Sequence, residues 1–159
     1  MWRSLRSSCF VLASLAAGTF LCGSFGPQAA QAQTLDDRLA KANPAKGEVV
    51  FVRCGGCHSI EEGGPTKLGP NLWGIIDRPV ASVDGYAYSD ALKEYGGKWE
   101  LERLDAFLKD PAGAVPGSRM AVPGLTDDAE RSDLIAYLNQ NSANPLPIGL
   151  DPELAKAEA

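Results

Sequence analysis

Side chains that bind metals are scarce in this chain. His58 is its only histidine, methionine occurs only at positions 1 and 120, and cysteine only at 9, 22, 54 and 57. Strand-like alternation is nearly absent and no internal repeat is visible, which argues against sheet architectures and repeat arrays. Positive charge is also short, with 15 Lys and Arg against 20 Asp and Glu. An acidic balance of that kind excludes nucleic acid as a natural partner, because polyanions reward clustered cations. Long apolar runs are missing too. The run Cys9–Phe20 is short for a membrane span and is interrupted or followed by Gly18, Gly23, Gly26 and Pro27.

That run has a different use. Arg3 and Arg6 precede it, and the small residues Ala30 and Ala32, in the stretch AQA, follow it before Gln33. This is the three-part layout of an export signal, so residues 1–32 are expected to be a secretory signal cleaved at Gln33, with a retained membrane anchor as the alternative. Phe20 and Leu21 are too bulky to introduce a lipid-modified Cys22, and Arg3 and Arg6 are not adjacent as a twin-arginine signal requires. All 20 acids lie beyond residue 32 while two of the 15 basic residues lie before it, so the remainder carries 13 cations, 20 anions and a charge of −7. Its only cysteines are Cys54 and Cys57. A disulfide closing so short a loop removes little unfolded-state entropy and would be a poor staple.

The remaining sequence predicts an all-α domain of short helices joined by loops dense in Gly and Pro. Asn43 and Pro44 form a helix start, leading through Val50 and Phe51 toward Cys54. The stretch Gly63–Gly85 has no period and needs something to wrap around. Ser89 caps a short helix that Gly96 stops, and Leu101, Leu104, Phe107 and Leu108 share a face of the next, which ends at Pro111. The last helix is expected to start at Thr126, with Asp127 and Asp128 in its first turn and Leu134, Tyr137 and Leu138 as its apolar stripe. Helices this short supply a modest core, and a large flat apolar cofactor would fill it.

Cys54-Gly55-Gly56-Cys57-His58 is the stretch that carries chemistry. As a zinc site it offers three ligands where four are wanted, with no other Cys or His beyond residue 32 to complete the set. As a redox dithiol it lacks the preceding strand of a βαβ unit. As a haem anchor it fits better. Two thiols at this spacing reach two vinyl groups on one porphyrin edge, the next residue turns its imidazole under the iron, and the glycines allow close backbone approach. With no second histidine, the sixth iron position falls to Met120, in a loop flanked by prolines. A buried Met is more often a gap filler, but beside this motif the thioether reads as a ligand that favours ferrous iron.

These residues resemble the class I cytochromes c, in particular the mitochondrial and bacterial cytochrome c2 group. The likeness runs from about Gly47 to Leu138 through GGPTKLGPNLWG, GYAYSDALK, Trp99, FLKDP, VPGSRM and DLIAYL in order. It implies a cytochrome c fold wrapped around one covalent haem c, with a monohaem domain at 33–141, while the Pro-rich then polar composition of 142–159 reads as a flexible tail. It implies that the Pro70 carbonyl accepts the Nδ1 hydrogen of His58, that Arg78, Tyr88 and Trp99 hold the buried propionates, and that Gly47 and Phe51 meet Leu134 and Tyr137 where first and last helices cross. Phe107 stands where the mitochondrial proteins carry a Tyr near the Met ligand, and Val122 where a Phe is usual. Of the docking lysines only Arg53, Lys67 and Arg119 have counterparts, and Ala112 and Gly113 replace a lysine pair. The implied function is that of a periplasmic single-electron carrier, not an enzyme. Its partners would be drawn from quinol-cytochrome c oxidoreductases, terminal oxidases, reaction centres and periplasmic dehydrogenases. A haem sensor or peroxidase-type protein with a displaceable sixth ligand, or a membrane-anchored subunit, is the alternative.

Overall fold

The computed structural model describes residues 33–120 and 122–148, so the export signal expected at 1–32 and the end of the tail at 149–159 lie outside the described residues. Six helices follow in order: α1 Leu35–Leu39, α2 Pro44–Gly55, α3 Asp90–Tyr95, α4 Leu101–Lys109, α5 Pro111–Ala114 and α6 Asp128–Gln140. Among the described residues the only extended pairing is one antiparallel bridge, Pro79 with Lys98. The all-α expectation holds.

Local chemistry sets most helix ends. The Asn43 side chain accepts from the Ala45 N–H with Pro44 in the first turn of α2, and the Ser89 side chain accepts from Leu92 N–H at the start of α3. Gly96 ends α3 at φ 52°, a conformation that suits glycine. Helix α1 is not foreseen by periodicity. It rests on a capping box in which Thr34 and Asp37 satisfy each other's backbone N–H. The start of α6 corrects the expectation at Thr126. Leu125 N–H donates to Leu108 O at 2.8 Å and holds the chain extended, so the cap moves to Asp127, whose carboxylate accepts from Glu130 N–H.

Helix α6 is the centre of the core. α2 crosses it where Gly47 lets the backbones touch, and the Phe51 and Tyr137 rings meet at 5.5 Å. The α6 stripe is broader than the sequence suggested. Leu134, Ile135 and Leu138 are buried, and Arg131 and Ser132 are buried with them. Arg131 is tolerated there because it is paired. Its Nε donates to Asp105 at 2.8 Å, Nη2 to Asp128 at 2.5 Å and Nη1 to the Leu125 carbonyl at 2.7 Å. Arg38 of α1 reaches the same Asp105 at 3.0 Å and the Ser132 hydroxyl at 2.8 Å, binding α1, α4 and α6 together.

Burial acts to raise the Asp105 carboxyl, but hydrogen bonds from Arg131 and Arg38 outweigh it and leave the group below the ordinary value of 3.8. Its contribution to stability is therefore complete above pH 3.8 and is lost as pH falls through the lowered value. Asp105→Asn removes the shared anion and strands a buried guanidinium, so denaturant unfolding should show a loss of about 3 kcal/mol at neutral pH. The loss should shrink below the carboxyl's own titration; equal stability of the two proteins at neutral pH would contradict this role.

Past α6 the chain turns back. Asn139 exchanges two hydrogen bonds with the Leu146 backbone at 2.8 and 2.9 Å, Gly74 N–H donates to Asn141 O at 2.8 Å, and Ile148 packs on the core.

Candidate haem site

The aperiodic loops between the helices enclose a cavity of about 550 Å³, walled mainly by apolar side chains. All nine residues singled out from the sequence line it: Cys54, Cys57, His58, Pro70, Arg78, Tyr88, Trp99, Phe107 and Met120. They come from α2, the two long loops, the short link between α3 and α4, and α4 itself, so the site is a product of the whole fold.

Cys54 closes α2 one residue before its end, and the chain turns there because both Cys57 N–H and His58 N–H donate to Cys54 O at 2.9 Å. The two thiols are unpaired and half-buried, and burial pushes the Cys54 thiol up. His58 Nδ1 lies 2.7 Å from the Pro70 carbonyl. A carbonyl only accepts, so Nδ1 carries the hydrogen and Nε2 keeps its lone pair. Burial lowers the His58 pKa against the opposing pull of that bond, so the ring stays neutral and able to act as a ligand.

Two further residues fix that ring. Asn71 donates through Nδ2 to Ser59 Oγ, Glu61 O and Gly64 O at 2.8 to 3.1 Å, knotting the loop behind Pro70. Gly69 has no room for a side chain, because an added Cβ would fall 2.7 Å from both Nδ1 and Nε2 of His58. The sequence held a signal for Gly69 in its place before Pro70, but only the structure shows that it faces the ring. Gly69→Ala should therefore rotate the imidazole away from Pro70. Its expected signature is an altered iron-ligand spectrum at nearly unchanged helix content, and a spectrum like that of the parent would refute the close approach.

The polar groups of the wall suit carboxylates. Arg78 uses Nη1 on Trp73 O and Nη2 on Asn71 O, both at 2.9 Å, and keeps further donors for the cavity. Tyr88 OH accepts from Val83 N–H at 3.3 Å, which leaves its own hydrogen free to donate. Burial pushes that phenol up, so it stays protonated. Trp99 is buried and lines the cavity, and its indole N–H has no acceptor among the described residues. No described side-chain nitrogen or oxygen is both sealed and unpartnered, so this N–H opens on the cavity. The Phe107 ring packs 4.9 Å from that of Trp99 and brings no hydroxyl.

Met120 lines the same cavity from a loop pinned at both ends. Its N–H donates to Ser118 Oγ at 3.2 Å and Ser118 N–H donates to Val115 O at 3.0 Å. Gly124 lies so close to the Lys109 carbonyl that a Cβ there would overlap backbone. Val122 is 43 % exposed at the cavity's edge. Two thiols, a neutral imidazole with a free Nε2, a thioether, and unspent donors for two carboxylates in an apolar pocket are the donor set that haem c requires.

Comparison with known proteins agrees with the geometry. The cytochrome c family model matches residues 44–142. A cytochrome c homolog of Bradyrhizobium diazoefficiens is 38 % identical over 124 residues, covering 77 % of this chain and 67 % of the homolog. Cytochrome c-550 of Ancylobacter novellus is 43 % identical over 104 residues, covering 64 % of this chain and 97 % of its own length. The solved structure of cytochrome cH from Methylobacterium extorquens superposes with a TM-score of 0.59 at 39 % identity, over 62 % of this chain and 99 % of that one. The chain spans 67 % and 63 % of the length of two cytochrome c homologs that it matches. The chain belongs to the cytochrome c family, as a class I c-type cytochrome of the electron carriers that bind haem c covalently.

Proposed function

We propose that the protein is a periplasmic single-electron carrier with His58 and Met120 as axial ligands and Cys54 and Cys57 as covalent anchors. The observation that carries this reading is the convergence of all four side chains on one apolar cavity in a chain with no other His and no other Met beyond residue 1. Haem c supplies a one-electron ferric/ferrous couple when bound.

The chain's own residues do the rest. Pro70 O holds the His58 Nδ1 hydrogen and so orients and enriches the ligand nitrogen. Arg78, Tyr88 and Trp99 donate to carboxylates that would otherwise be costly to bury. The pinned Met120 loop keeps small molecules from the sixth position, and the apolar wall excludes water. Export is supported by the signal layout of residues 1–32, and no helix among the described residues is long and apolar enough to cross a membrane. The partners proposed are a quinol-oxidising complex, a reaction centre, a periplasmic dehydrogenase or a terminal oxidase.

The test is stopped-flow oxidation of the reduced holoprotein by membranes containing a terminal oxidase, with its re-reduction by a quinol-oxidising complex. Turnover in both directions is expected. A holoprotein that exchanges electrons with neither, yet binds peroxide or a gas at the iron, would favour the sensor or peroxidase reading instead. Mass measurement of the exported form should give Gln33 as its first residue; a retained N-terminus would support an anchored subunit.

A further inference from the structure

Asn139, one residue before the end of α6, is 3 % exposed, and its whole amide is spent on one residue of the chain that follows. Nδ2 donates to the Leu146 carbonyl at 2.8 Å, and Oδ1 accepts from the Leu146 N–H at 2.9 Å. Leu146 stands between Pro145 and Pro147, neither of which has an N–H, so Asn139 takes the one backbone donor of that stretch. Pro147 also favours extended backbone at Leu146. Ile148 then packs on the core. Residues 142–148 thus form a short strap, tied to the body at Leu146 and Ile148.

The near end of the strap reaches the cavity wall. Asn141 caps α6 with its Nδ2 donating to Tyr137 O at 2.8 Å, and its own carbonyl accepts from Gly74 N–H at 2.8 Å. The peptide unit that carries this N–H is held from its other side too, because Trp73 O accepts from Arg78 Nη1 at 2.9 Å. A peptide is planar, so turning its N–H off Asn141 also swings the carbonyl that fixes the guanidinium. Arg78 lines the cavity and keeps Nη2 on Asn71 O at 2.9 Å. A continuous chain of bonds therefore runs from the tail to the cavity.

We infer that Asn139 is a positioning residue for the cavity: through the strap and Asn141 it sets the Trp73–Gly74 peptide, and through that peptide the aim of Arg78 at a carboxylate of the bound haem. This rests on the haem reading above and extends it to residues that line no part of the cavity. A carboxylate less well compensated by Arg78 favours ferric iron, so loosening the strap lowers the reduction potential.

The test uses full-length holoprotein carrying Asn139→Leu, which keeps the bulk of the side chain and removes both bonds to Leu146. Hydrogen exchange at the Gly74 amide should be about tenfold faster than in wild type, the worth of roughly one net hydrogen bond. The reduction potential should fall with it. In an Arg78→Lys background, which lacks the forked grip on Trp73 O and Asn71 O, Asn139→Leu should leave the potential where Arg78→Lys alone puts it. Unchanged Gly74 exchange, an unmoved potential, or equal falls in both backgrounds would overturn the positioning role. Ile148→Ser frees the far end of the strap without stranding a buried amide, and decides the matter where Asn139→Leu does not fold. It should move both readouts in the same direction by less, and no movement in either would also overturn the role. A wild-type holoprotein with no reversible one-electron couple would instead sink the carrier reading, whatever the Gly74 amide does.

Discussion

Reduced holoprotein carrying Met120→Ala is expected to bind carbon monoxide rapidly and completely, to lose the spectrum of a six-coordinate low-spin site, and to have a lower reduction potential. The expectation follows from scarcity and placement together. No other Met beyond residue 1 and no second His can replace the thioether, and Met120 lines the cavity that also contains His58. The loop cannot readily offer a substitute, since Ser118 and the Gly124–Lys109 approach fix it on both sides of the methionine. Thioether ligation favours ferrous iron, so its removal lowers the potential. An unchanged spectrum in the variant would remove Met120 from the iron and return it to the role of a core filler.

A large effect on stability is expected from Gly47→Ala. A Cβ at position 47 would lie 2.6 Å from the Asp133 carbonyl carbon and 2.7 Å from Tyr137 Cβ, both part of α6. Both obstacles are backbone or the root of a side chain, so no rotamer change relieves them and the helices must move apart. Overpacking of this kind costs about 3 kcal/mol, against the few tenths that alanine gains in helix propensity. Glu48→Ala, at an exposed position on the same helix, is the control. Denaturant unfolding of holoprotein should show a large loss for Gly47→Ala and little change for Glu48→Ala. Equal stability of the two variants would contradict the close crossing of α2 and α6.

Why some of this was legible in the sequence, and some not, is a matter of range. The CGGCH stretch reads correctly because its demands on the chain lie within five residues. The caps at Asn43 and Ser89 and the stop at Gly96 are equally local. Helix α1 escaped because five residues are too few to show a period, although its Thr34–Asp37 box was there to be read. The α6 start was misplaced by one residue, because Thr126 and Asp127 are both good caps and the choice is made by a distant bond between Leu125 and Leu108. Nothing in the sequence marks Arg131 as buried, since a charge on a helix ordinarily faces solvent. Its burial depends on Asp105, 26 positions away, and on Arg38, which pairs with the same carboxylate from 67 positions away. Gly69 shows the same limit at the site itself: its place before Pro70 was visible, and its closeness to the imidazole was not.

The family likeness named the roles of Arg78, Tyr88 and Trp99, and the structure adds what each has to spare. Arg78 already binds two backbone carbonyls beside Pro70, so it stiffens the loop that orients His58 as well as facing the cavity. Phe107 and Val122 mark where this chain departs from the mitochondrial pattern that its sequence resembles. The first offers no hydroxyl to the cavity and the second leaves its edge more open.

Under the proposed function, a single apolar cavity holds iron between His58 and Met120 and so passes electrons without opening the metal to small ligands. Adding carbon monoxide to the reduced wild-type holoprotein tests it most directly. The spectrum should stay low-spin and change little, whereas rapid and complete binding would contradict the claim.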